Sequence, residues 1–224
     1  MKRNIPIGVL DKKYALGRKY KKSLRYRLTR RTDEVIQAIH QFHPQNIESI
    51  LDIGSAEGLM LSSIKKKFPQ AECIGLEYSQ ELINMSQDKN IKIIQGDAQS
   101  LPFKDNSFDV AIATALIEHL PQPFKMLSEA HRVLKKKGIL IVTTPDPFFD
   151  KIADLISKEN LPHLRRFNLR ELKDYFRKIS FQILQAEKFM VSPIGFPAEL
   201  KIEGLLKALK LDFLLLNQLI VGKK

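Results

Sequence analysis

Ser49-Ile-Leu-Asp-Ile-Gly-Ser-Ala-Glu-Gly58 decides how this chain folds. A short β-branched run ends on an acid and a glycine, and small residues then lead into positions 59–68, where apolar side chains recur at helical spacing. Strand, small-residue turn and helix make the opening unit of an open α/β sheet. Small side chains at such a turn let a ligand approach the backbone, and the helix start offers unpaired N–H groups to it.

The same rhythm repeats downstream. Strands are expected at 73–77, 91–95, 108–113 and 138–144, and helices at 80–87 and 123–135. The strands are apolar on both faces, which implies a parallel sheet covered by helices on both sides. After position 146 the order changes to two helices (151–158, 169–178), a strand (181–191), a helix (198–209) and a last strand (217–222). The last two strands lack a right-handed crossover between them and the sheet, so an antiparallel pair is expected at one edge. Upstream, residues 1–18 read as an irregular arm and 19–41 as a helix, which His43-Pro44-Gln45-Asn46 ends.

In an open parallel sheet, ligands bind beyond the carboxyl ends of the strands. Asp52, Gly54, Ser55, Ala56 and Gly58 follow the first strand. Glu77 closes the second, and a carboxylate there can accept two hydrogen bonds from a ribose diol. Gly96-Asp97-Ala98 follows the third. Asp97 can accept from an adenine amino group while the N–H of Ala98 meets a ring nitrogen.

With these residues in place the chain resembles the class I S-adenosylmethionine (SAM)-dependent methyltransferases, in particular the small-molecule branch that includes the ubiquinone-biosynthesis C-methyltransferases. The resemblance rests on Leu51–Gly58, which is similar to a D-x-G-x-G-x-G loop, and on Gly75-Leu-Glu77. It extends through Gly96-Asp-Ala-Gln-Ser-Leu-Pro-Phe103 with Ser107-Phe-Asp-Val110, and through Ile117-Glu-His-Leu120 to Gly138. It implies a three-layer Rossmann-like fold with a mostly parallel seven-stranded sheet, order 3-2-1-4-5-7-6, last strand antiparallel. It also implies one domain over 19–224, with a helical cap at 19–46, a cofactor half at 47–145 and a substrate-side half at 146–224. SAM is the implied cofactor, and Asp52, Gly54, Ser55, Ala56, Gly58, Glu77, Tyr78, Asp97, Ala98 and Thr114 are its implied contacts. The sequence departs from the family at Ala56, where the family has the loop's middle glycine; a methyl is tolerable there if φ is negative.

Glu118 and His119 stand where the family places substrate and chemistry. His119, with a pKa near neutrality, is the candidate base, with capping of its loop as the alternative. His163 and Arg165 precede a helix on the substrate side and are candidates for holding an anionic acceptor, against a solvated loop. His131 and Cys73 read as structural, the thiol as a buried core group. A dinucleotide turn needs G-x-G-x-x-G, whereas here the glycines fall as G-x-x-x-G, and no Gly-Lys-Ser/Thr loop occurs. No Asn/Asp-Pro-Pro-aromatic follows the fourth strand and no Pro-Cys is present, which argues against nucleobase amines and pyrimidine carbons as acceptors. The expected activity is methyl transfer to a small-molecule, lipid-linked or sugar acceptor, with no metal required. The rivals are a non-catalytic SAM-binding subunit and an RNA-modifying enzyme.

Composition bears mainly on partners. The 224 residues are 44% apolar, enough for a core, and hold one cysteine, which excludes a disulfide within the chain and a cysteine-based zinc site. No apolar run approaches the ~20 residues that cross a bilayer, and the N-terminal apolar stretch is short for a signal peptide; a cytoplasmic protein is expected. Net charge is +12, of which residues 1–31 carry +11 through twelve Lys and Arg against Asp11. Tyr14, Tyr20 and Tyr26 interleave with these cations. Such a segment suits anionic partners: nucleic acid (not favoured), a membrane surface or an anionic acceptor, against a plain solvated helix face.

Overall fold

The computed structural model describes residues 12–43, 46–156 and 163–224. Residues 1–11 of the basic arm, the end of the expected helix at 151–158 and the segment before His163 lie outside them, as do the side chains of Lys13, Tyr14, Lys19 and 152–156.

Seven strands form one sheet in the order β3-β2-β1-β4-β5-β7-β6. They are β1 Ser49–Ile53, β2 Glu72–Glu77, β3 Lys92–Gln95, β4 Phe108–Thr114, β5 Leu134–Pro145, β6 Gln182–Phe189 and β7 Asn217–Lys223. β3, β2, β1, β4 and β5 pair in parallel, whereas β7 runs antiparallel to both β5 and β6. The expected strand order and antiparallel strand are thus present. β6 points the same way as the parallel strands, so all six open their carboxyl ends on one edge.

Alternation along the central strands fills two cores. Leu51 and Ile53 of β1, with Ala111 and Ala113 of β4, pack under Met126, Leu127 and Ala130 of α5 (Pro123–Val133) and Phe176 of α7 (Leu169–Lys178). Ile50, Val110 and Ile112 face the other way, onto Val35 and Ile39 of α2 (Lys22–Phe42) and Met60, Leu61 and Ile64 of α3 (Leu59–Lys67). Side chains of a strand point alternately to its two faces, which is why β-branched runs without polar breaks fit this central position.

Several boundaries differ from expectation. Residues 12–18 of the arm are not irregular: with Lys19 and Tyr20 they form α1 (Lys12–Tyr20), and an extended Lys21 separates it from α2, so positions 19–41 are not one helix. Gly17 allows the two helices to meet, because a Cβ there would lie 2.9 Å from Leu24 Cδ1. The helix expected at 80–87 closes after α4 (Gln80–Ile83), where the N–H groups of Met85 and Ser86 bond three residues back instead of four. α5 stops at Val133 because Leu134 turns extended and pairs with Phe108. The remaining helices are α6 (Pro147–Ile156), which starts four residues before its expected place, and α8 (Glu199–Ala208).

Candidate cofactor and acceptor site

β1 delivers Asp52 to the carboxyl edge, and the loop after it folds back over β2. The N–H groups of Gly54 and Ser55 both donate to Leu76 O, at 2.8 and 3.1 Å. Gly54 (φ 78) and Gly58 (φ 81) take left-handed conformations that glycine adopts without strain. A Cβ at Gly58 would sit 2.6 Å from Ile91 Cδ1. Ser55 packs its side chain over Gly75, so its part is to tie the loop to β2.

Ala56 is also left-handed, with φ 50. The negative φ under which its methyl would be tolerable is not what the fold uses. A side chain in this region costs about 1–2 kcal/mol, and two contacts work against that cost. Its methyl packs against Ala15 of α1 and Leu82 of α4, and its N–H donates to Glu77 Oε2 at 2.9 Å. Arg18 of α1 reaches down to pair with Glu57 in the same loop. α1 therefore lies directly over the loop, a position that the reading of residues 1–18 as an irregular arm did not give it.

Two buried carboxylates lie under this loop. Asp52 is 2% exposed, and burial, with the Glu77 charge beside it, pushes its carboxyl up to about 7 despite Arg18. Glu77 is also raised by burial, against the N–H groups of Ser79 and Ala56 and the charge of Arg18. Ser79 N–H donates to Glu77 Oε1 at 2.9 Å. Tyr78 is half-exposed beside it, and Asp97, at the end of β3, is exposed and accepts from the N–H of Gln99. Ala98 is buried next to Asp97, and Thr114 Oγ1 approaches Met60 Sδ at 3.7 Å. Glu57 Oε1 is buried without a partner. Acceptors held at low exposure suit a ligand that brings a cation and hydroxyl donors, which is what SAM would offer Asp52 and Glu77.

Across the edge, the turn after β4 forms a second polar centre. Ile117–His119 is a single 3-10 turn that buries Glu118 and His119. Glu118 Oε2 accepts from Thr144 Oγ1 at 3.0 Å, while Oε1 is buried without a partner. Burial raises its pKa, with its own backbone, His163 and Arg31 acting against the shift. Glu118 O accepts the N–H groups of Leu164 and Arg165, which pins that segment to the turn. His163 stacks edge-on against His119, ring centroids 4.8 Å apart, and its Nδ1 lies 2.6 Å from Asp150 Oδ2. The solvated-loop alternative for His163 does not hold. Arg166 Nε donates to the same Asp150 oxygen at 2.7 Å. Arg165 instead lies over the rings of Phe167 and Tyr175, so its expected place beside His163 belongs to Arg166.

Glu118, His119 and His163 offer ligand atoms within 4.8 Å of one another. Behind this cluster Asp150 pairs with Arg166, and the charge of Arg31 works against the upward shift of Glu118. Asp150, Thr144, Arg31 and Arg166 were not foreseen from sequence. Asp150 is one of two acids, with Asp154, in the otherwise largely apolar run Pro147–Ile156, and nothing in that pattern marks it out. His131 packs on Phe181 and Cys73 is buried, its thiol pushed up to about 11, and both are structural as expected.

The basic segment is partly spent inside the protein. Arg30 is buried between Glu34 and Glu203, and buried Arg31 donates to Asn217 Oδ1 at 3.2 Å. Among the described residues no helix is long and apolar enough to cross a membrane.

The strand order β3-β2-β1-β4-β5-β7-β6 defines the fold class, a doubly wound Rossmann-like sheet. The profile of the methyltransferase-domain family matches residues 51–142. A demethylmenaquinone methyltransferase of Thermotoga maritima is 32% identical over 110 residues, covering 48% of this chain and 47% of that protein. A ubiquinone/menaquinone biosynthesis C-methyltransferase of Dinoroseobacter shibae is 28% identical over 169 residues and 68% of each chain. The chain spans 47% and 56% of the lengths of two demethylmenaquinone methyltransferases that it matches. In fold it is similar to a SAM-dependent methyltransferase from Archaeoglobus fulgidus, with a TM-score of 0.64, 20% identity, and 96% and 100% of the two chains covered. Residues 51–142 carry a methyltransferase domain, and the chain is similar to class I SAM-dependent methyltransferases of quinone biosynthesis.

Proposed function

We propose that this chain transfers the methyl group of SAM to a small-molecule acceptor, lipid-linked or sugar-bearing, and releases S-adenosylhomocysteine. The observation that carries this reading is the pairing of two centres on one sheet edge. The buried acids Asp52 and Glu77 lie under a glycine loop, and buried Glu118 and His119 with half-buried His163 lie beyond β4.

Asp52, Glu77, Asp97 and the N–H of Ala98 would hold the cofactor, with α1 over the loop. The cofactor supplies an electrophilic methyl on a sulfonium. That methyl would be open to in-line displacement by an acceptor held beside Glu118, His119 and His163. Alignment supplies much of the rate in such a displacement. His119 takes the acceptor's proton where the acceptor must lose one. Asp150, fixed by Arg166, accepts from His163 Nδ1–H and orients that ring against His119. Glu118 holds the turn through Thr144, and its second oxygen, buried without a partner, is left to accept from a ligand.

The test is calorimetry with S-adenosylhomocysteine, followed by transfer of labelled methyl into fractionated cell extract. The wild-type chain should bind, Glu77→Ala should bind about 1–3 kcal/mol more weakly, and label should enter the lipid or small-molecule fraction. Binding without transfer to any fraction would favour the non-catalytic subunit, and label in RNA would favour the RNA-modifying enzyme. Absence of binding would remove the proposal.

A further inference from the structure

α8 is built inside out. Its acids face the protein: Glu199 is buried and accepts from Tyr26 Oη, and Glu203 is buried on Arg30 and the N–H of Met190. Leu200 and Leu205 face solvent, 66% and 58% exposed, as does Leu209 just past its end at 59%. Ile202 is exposed too. The face continues into the flanking turns through exposed Ile194, Phe196, Phe213 and Leu214. Single exposed apolar residues are ordinary on a soluble protein, but a continuous run of large ones marks a contact surface.

The exposed charges around this face are mostly positive. Lys201 and Lys210 are exposed within it, and over 190–216 the single exposed acid is Asp212. α2 brings more cations alongside. The Tyr26 ring fills the space over Gly195, where a side chain would collide with it. Tyr20, Lys21, Lys22 and Arg25, within the two turns before Tyr26, are all exposed. Apolar side chains ringed by lysine, arginine and an exposed tyrosine match the interfacial layer of a bilayer carrying negative headgroups.

Position adds the third observation. Residues 190–216 link the end of β6 to the start of β7, and Phe189 pairs with Asn217, which pairs with Pro145. The outward face therefore stands on the carboxyl edge of the sheet, the edge that also holds Glu118, His119 and Asp150. Asp146, which begins the segment leading to Asp150, is tied to this linker by its N–H to Leu216 O and by Lys188.

We infer that the α8 face, with the exposed cations at the start of α2, docks the protein on an anionic lipid bilayer and presents the acceptor side of the site to that surface. Vesicle binding is read without turnover, so it stands or falls separately from the methyl-transfer reading.

The test is co-sedimentation of the full chain with vesicles of phosphatidylcholine alone and of equal parts phosphatidylcholine and phosphatidylglycerol, at low and high salt. The wild type should pellet with the anionic vesicles and less so at high salt. Leu200→Asp with Leu205→Asp should weaken this by roughly a hundredfold at an unchanged unfolding temperature, since both side chains are exposed. Lys201→Glu with Lys210→Glu should weaken it by roughly tenfold on anionic vesicles. No pelleting of the wild type, or equal pelleting of wild type and the leucine double variant, overturns the inference. So does a wild-type dimer in sedimentation that the leucine variant abolishes without any vesicle binding, which would assign the face to a second copy.

Discussion

α5 and α8 differ in what they hide. α5 buries Met126, Leu127, Ala130 and Val133 and leaves Lys125 and Gln122 to solvent, as a helix on a sheet is expected to do. α8 buries Glu199 and Glu203 and leaves its leucines out. The reason lies in the partners each helix meets. α5 sits on strands that offer only apolar side chains, whereas α8 sits on α2, which offers Tyr26 and Arg30. A buried guanidinium costs several kcal/mol unless paired, so Arg30 selects the acidic side of α8 and the leucines are turned outward. The cofactor half of the molecule is thus organised by hydrophobic burial, and the 190–214 segment by buried ion pairs.

The difference can be broken or sharpened by experiment. The largest effect is expected in the first region, at the acceptor centre. His119→Ala should cut turnover by about 10²-fold or more with S-adenosylhomocysteine affinity near wild type. An equal loss of cofactor affinity would make His119 a scaffold residue of the 3-10 turn. Deleting residues 1–20 removes α1 with Ala15 and Arg18. If α1 is a lid on the loop, kcat and cofactor affinity should fall together, by roughly tenfold. A rise in KM alone, with a flatter salt response, would instead make the segment an electrostatic handle of the outward face.

Asp52 tests the buried acids through pH. Its carboxyl ionises at about 7 in the folded chain against a reference of 3.8. Between those values the folded state binds more protons than the unfolded state, so this group's contribution to stability falls as pH rises. Asp52→Asn should therefore melt higher than the wild type at about pH 8 without ligand, and the gap should close toward about pH 4. A variant that melts lower than the wild type at the higher pH would mean that Asp52 is held as a favourable charge. Thermal scans of ligand-free protein across this range decide it.

Ala56→Gly should have the smallest effect. Release of the left-handed strain favours glycine by about 1–2 kcal/mol. The lost methyl contact with Ala15 and Leu82 costs about 0.8 kcal/mol, and the freer unfolded chain costs about 0.4–1 kcal/mol more. Denaturant unfolding should show a net change below about 1 kcal/mol. A loss above about 2 kcal/mol would show that α1 depends on that methyl as its seat.

The sequence by itself determined the sheet and the acids that stand at its carboxyl edge. Alternating and continuous apolar runs are local signals, and the acids at strand ends follow at fixed steps from those runs, so Asp52, Glu77 and Asp97 could be placed from the chain alone. Tertiary structure decided the rest, because each remaining feature depends on a contact between residues distant in the chain. The left-handed turn of Ala56 is held by Ala15 and Leu82, and the seat of α1 by Arg18 on Glu57. The stacking of His163 on His119 needs Asp150 behind it, and the outward face of α8 needs Arg30, 173 positions from Glu203. Periodicity along a helix says which side chains share a face; only the charges buried beneath it say which face turns inward.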